Sequence, residues 1–73
     1  MDTIELVKDI LKAKLGRDDI SLESTMKDLG VDSLDLVEVV LEVEERLGVT
    51  FEDEELIELK TVEHVVSLIN KKR

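Results

Sequence analysis

The chain has 73 residues with 19 acids against 10 Lys and Arg, a formal net charge of −9, no cysteine, no proline and one aromatic residue. That charge repels nucleic acid and anionic lipid, and no basic stripe or aromatic platform offsets it. Without cysteine there is neither a disulfide framework nor a thiolate metal site, which fits a reducing compartment and leads to the expectation of a cytoplasmic protein.

So short a chain buries only about 60% of its unfolded surface, so residues 1–73 are expected to form one domain around one core. With 42% apolar residues and 40% charged ones, the composition favours a folded helical domain over a disordered acidic tail. The core is almost wholly aliphatic, since Phe51 is the lone aromatic.

The first predicted helix runs from Thr3 to Leu15, with Asp2 as cap and Glu5 placed for a capping box. Ile4, Val7, Ile10, Leu11 and Leu15 form its apolar stripe, Lys8, Lys12 and Lys14 stand on the wet side, and Gly16 stops it. Asp2 and Glu5, with no basic flank or unbroken apolar run, argue against a signal peptide or membrane span, so no membrane partner is expected. Arg17 to Gly30 then reads as a long loop pinned by Ile20, Leu22, Met26 and Leu29.

The second helix is predicted over Ser33 to Leu47, between the cap Asp32 and the stop Gly48. At about 100° per residue it carries two apolar stripes. Leu36, Val39, Val40, Val43 and Leu47 suit a core, while Leu34, Val37 and Leu41, bordered by Glu38, Glu44 and Glu45, suit an exposed binding face with a charged rim. The alternative is a central helix buried on both sides, which would bring Glu38 and Glu45 near a dry interior. Ser33 falls in the first turn, where free N–H groups and the positive helix end favour a phosphate. By itself, Asp32-Ser33 reads more readily as ordinary helix capping.

A short third helix is predicted near Asp53 to Leu59, with Phe51, Leu56 and Leu59 turned to the core and Glu52, Asp53, Glu54 and Glu55 at its start. The fourth, Val62 to Asn70, is capped by Thr61 and packs Val62, Val65, Val66 and Ile69, with Lys71, Lys72 and Arg73 at its negative end and His64 on the surface. The fold class is therefore all-α, a small bundle of three longer helices plus one short one. Charge is segregated along it: Asp28 to Glu58 holds 12 acids against Arg46 alone, giving −11, and the remainder holds 7 acids and 9 bases, giving +2. Either a basic partner meets the middle of the chain or that face is merely solvated.

Several chemistries are excluded. Ser33 lacks a Gly-x-Ser-x-Gly setting, and the only histidine is distant in sequence, which argues against a serine hydrolase. From Asp28, Asp32 or Asp35, the glycine and glutamate of a calcium loop do not fall at the required positions, so no metal site is expected. Acids are abundant without an implied pocket, and no enzyme is expected.

Asp28-Leu29-Gly30-Val31-Asp32-Ser33-Leu34-Asp35-Leu36-Val37-Glu38 resembles the prosthetic-group motif of acyl carrier proteins, especially the free-standing type II fatty-acid-synthesis kind. Lys14-Leu15-Gly16, Glu44-Glu45, the acidic third segment and Lys60-Thr61-Val62 follow in family-like order, so the resemblance covers nearly the whole chain. It implies that Ser33 bears 4′-phosphopantetheine, donated by a phosphopantetheinyl transferase using coenzyme A and magnesium, whose thiol carries acyl chains as thioesters. It also implies that Asp32, Asp35, Glu38, Glu44 and Glu45 meet Lys and Arg on fatty acid synthesis enzymes, with Leu34, Val37 and Leu41 seated between those charges. A monomeric carrier and protein substrate follows, with acyl tails sheltered among the helices. The chain departs from the family at Glu52, where proline is frequent, at Leu36, where threonine is common, and at Ile57, which replaces an acid. A carrier for polyketide, nonribosomal peptide or another specialised pathway is the nearest alternative, and a non-carrier acidic interaction domain a more distant one.

Overall fold

The computed structural model describes residues 2–73 and consists of helices α1 (Thr3–Leu15), α2 (Ser33–Leu47), α3 (Asp53–Ile57) and α4 (Val62–Lys72). The first two have the expected bounds because strong local stops enclose them. Gly16 and Gly48 both take the left-handed conformation, at φ 67° and 70°, and their N–H groups close the last turns on Lys12 and Glu44.

The other two helices differ from expectation at their C-terminal ends. α3 stops at Ile57 rather than Leu59, since Glu58 and Leu59 donate to the carbonyls of Glu55 and Leu56 in tighter three-residue turns. That tightening turns Leu59 into the core, where it is buried. α4 runs past Asn70 to Lys72, because Lys71 and Lys72 are good helix formers that also complement the negative helix end.

α1 packs against both α4 and α2. Its buried arc is correspondingly wider than one stripe and takes in Thr3 and Leu6 beside Val7, Ile10 and Leu11, leaving Ile4 and Leu15 half-buried at the margins. Val39, Val40 and Val43 of α2, Val62, Val65, Val66 and Ile69 of α4, and loop residues Ile20, Met26, Leu29 and Val31 complete the core. Thr3, the one buried polar residue among those described, is satisfied: its hydroxyl donates to Asn70 Oδ1 at 2.8 Å and accepts from Arg73 Nη1 at 2.6 Å. Asp2 caps α1 through a long contact, 3.5 Å from Oδ1 to the Ile4 N–H, and the back-bond expected of Glu5 is made in α3 instead, where Glu55 Oε1 accepts from the Glu52 N–H at 2.9 Å. Lys72 ties α4 to α3, pairing with Glu55 at 2.9 Å while lying 5.5 Å from the centre of the Phe51 ring. Among the described residues no helix is long and apolar enough to cross a membrane.

Candidate functional site

The loop ahead of α2 is held across the molecule by backbone hydrogen bonds. Met26 N–H donates to the carbonyl of Lys60 at 2.8 Å, and Val62 and Glu63 donate back to Ser24 and Leu22, each at 3.0 Å. Within the loop, Val31 N–H reaches the Met26 carbonyl at 2.9 Å, a reversal that uses Gly30 at φ 76°, a conformation costly for residues with a Cβ. Buried Val31 then anchors the chain immediately before the helix.

Asp32 is extended and caps α2, its Oδ1 accepting from the Asp35 N–H and its carbonyl from the Leu36 N–H, both at 2.9 Å. Ser33 is thus the first helical residue, and its side chain is exposed. Among the described residues its hydroxyl has no hydrogen-bond partner, and the N–H groups of Ser33 and Leu34 donate to no capping side chain or loop carbonyl. An exposed oxygen beside free amide donors at the positive end of a helix fits a phosphate ester.

The two stripes of α2 separate as their spacing requires. Val39, Val40 and Val43 are buried, whereas Leu34, Val37 and Leu41 are 69%, 41% and 53% exposed, so the alternative of a helix buried on both sides does not hold. The acids around the exposed stripe lie along one helix but are not equivalent. Glu38 pairs with Lys14 of α1 at 2.9 Å, and Glu42 with Arg46 at 3.0 Å. Glu44 turns its carboxylate inward to the Phe51 N–H at 2.8 Å, which fixes the segment between α2 and α3. Glu45 is exposed, as is Asp32, while Asp35 is partly covered.

His64 is exposed and its ring is engaged locally, Nδ1 accepting from the Lys60 N–H at 3.2 Å at the start of α4. Ile57, 78% exposed, projects from α3 among Asp53, Glu54 and Glu58. An open groove of about 400 Å3 between α3 and α4 is floored by Leu59 and Leu68. Lys14 is the site-related residue that sequence reasoning missed, because only the packing of α1 on α2 brings it to Glu38.

Residues 5–69 match the family model described as a phosphopantetheine attachment site. Over 74 residues the chain is 40% identical to the acyl carrier protein of Petrotoga mobilis, with 97% of this chain and 87% of that one covered. The chain belongs to the acyl carrier protein family.

Other acyl carrier proteins agree. The chain is 42% identical over 72 residues to acyl carrier protein 2, chloroplastic, of Hordeum vulgare, with 94% of this chain aligned but only 56% of that protein's length. The crystal structure of the Thermotoga maritima acyl carrier protein superposes with a TM-score of 0.83 at 30% identity, covering 99% of this chain and 91% of that one. Phosphopantetheine-attachment domains of acyl carrier proteins hold 4′-phosphopantetheine covalently, and these relatives are carriers rather than enzymes. The exposed, unpartnered hydroxyl of Ser33 is compatible with that group.

Proposed function

We propose that Ser33 is the residue that bears 4′-phosphopantetheine and that the chain presents acyl groups to fatty acid synthesis enzymes. The observation that carries this reading is the exposed Ser33 hydroxyl, free of internal hydrogen bonds among the described residues, at the start of a helix whose adjoining apolar stripe is also exposed. When attached, the arm supplies a terminal thiol that holds the acyl chain as a thioester. The chain has no cysteine of its own to form a disulfide with that thiol, in keeping with work in a reducing cytoplasm.

The protein's own residues supply orientation. The Ser33 and Leu34 N–H groups and the positive end of α2 favour a phosphoryl group at the hydroxyl. Leu34, Val37 and Leu41 form the apolar centre of the docking face, and Asp32, Asp35, Glu38 and Glu45 attract Lys and Arg on the phosphopantetheinyl transferase and on the synthesis enzymes. Glu44 contributes negative potential to the same face while bonded to Phe51. Exposed rim charges raise encounter rate and set orientation more than they raise affinity, which suits a monomeric shuttle that must dissociate after each step.

Intact-mass measurement after incubation with coenzyme A, magnesium and a broad-specificity phosphopantetheinyl transferase tests the assignment. The chain should gain the mass of one arm and Ser33→Ala should gain none. A gain that persists in Ser33→Ala, or no gain in the unaltered chain, refutes it. Elongation of the loaded protein by fatty acid synthesis enzymes then separates this pathway from the specialised ones.

A further inference from the structure

Lys14 stands in the last turn of α1 with its ammonium 2.9 Å from Glu38 Oε1. Its pKa is raised above the usual lysine value chiefly by the hydrogen bond to Glu38; partial desolvation opposes this, and the charges of Glu38, Asp35 and Glu42 add to the rise. Those three carboxylates recur at i, i+3 and i+7 along one flank of the exposed stripe Leu34, Val37 and Leu41. On the opposite flank Glu44 is already bonded to the Phe51 N–H. A cation from the chain itself therefore sits against the richest part of the negative rim.

We propose that Lys14 is an internal competitor for the cations of partner enzymes, occupying Glu38 in the free protein and yielding it when an arginine-bearing surface docks on α2. This rests on the docking face assigned above. Two features support displacement rather than a permanent clasp. The Glu38 side chain is 50% exposed against 26% for Lys14, so an incoming group reaches the carboxylate from the solvent side. An exposed lysine–carboxylate pair is weak and screened by salt, and the ammonium engages one carboxylate oxygen, whereas a guanidinium fork engages both. The competition disfavours partners that offer only lysines or sparse charge. It also lowers the potential that steers encounter.

The test is the second-order rate of loading by a phosphopantetheinyl transferase with coenzyme A and magnesium. Lys14→Gln should raise that rate about two- to fivefold at low ionic strength, an effect that fades at high salt. The gain should vanish in a Glu38→Gln background, and Lys14→Arg should show none. Unchanged or slower loading of a helical Lys14→Gln protein overturns the proposal while leaving the Ser33 assignment intact, since that assignment fails only when the unaltered chain is not loaded at Ser33. A measurement on the unaltered protein gives a second readout: the Lys14 Nζ resonance should move toward that of a free ammonium on saturation with transferase. A resonance that stays in place in the complex overturns the proposal.

Discussion

The amide of Met26 and the carbonyl of Lys60 meet at 2.8 Å, which suspends the loop before Ser33 from the turn between α3 and α4. The placement of Ser33 thereby depends on a turn at the far end of the sequence. Thr61, in that turn, also caps α4, its hydroxyl accepting from the His64 N–H at 3.2 Å. Thr61→Ala should cost about 1 kcal/mol in urea unfolding, and Thr61→Ser should restore most of it. Amide exchange in the 22–31 loop should accelerate along with exchange in the first turn of α4; acceleration confined to α4 would contradict the coupling.

Asp32 has a capping task and, on the proposed docking face, an electrostatic one. Asp32→Ala should lower stability by about 1 kcal/mol, whereas Asp32→Asn keeps an oxygen for the Asp35 N–H and should unfold at nearly the same urea concentration. If the carboxylate also steers partners, Asn should slow transferase loading at low salt despite that unchanged midpoint. Equal loading rates would confine Asp32 to capping.

Charge reversals on α2 should separate two kinds of acid. Glu45→Lys alters an exposed group and should slow loading severalfold at low salt with helicity preserved. Glu44→Lys removes the acceptor of the Phe51 N–H, so it should reduce stability by about 1–2 kcal/mol in urea unfolding as well as slowing loading. Identical unfolding midpoints for the two variants would contradict the structural role of Glu44.

Acid stability carries a signature of Glu55. Its pKa is lowered from the usual 4.5, first by the backbone N–H of Glu52 and then by Lys72. A group more acidic when folded stabilises the fold above its unfolded pKa, and that contribution disappears as pH falls through the folded value. The difference in melting temperature between the unaltered protein and Glu55→Gln should therefore be fully present near neutrality and shrink as pH drops below about 4.5. A difference that grows on acidification would reverse the assigned sign.

Much of this architecture is written locally. Asp2 and Gly16 bound α1, and Asp32 and Gly48 bound α2, because caps and left-handed glycines act on their own turns. Ser33 and the Leu34, Val37 and Leu41 stripe are equally legible, since first-turn placement and helical period determine exposure. What periodicity lacks is contact between elements. Lys14 reaches Glu38 only after α1 packs on α2, and Glu44 finds Phe51 only after the intervening turn folds back. The ends of α3 and α4 escape the pattern for a related reason: tight turns at Glu58 and Leu59, and the favourable lysines beyond Asn70, shift boundaries that no glycine marks.

The Thr3–Asn70–Arg73 cluster brings the opening residues of the first helix against the closing residues of the last. In connectivity the molecule is nearly a ring with its seam at that clasp. A short covalent bridge across that clasp would let the chain be opened at the exposed bend at Asp18 while the path from Met26 to Ser33 stays uncut.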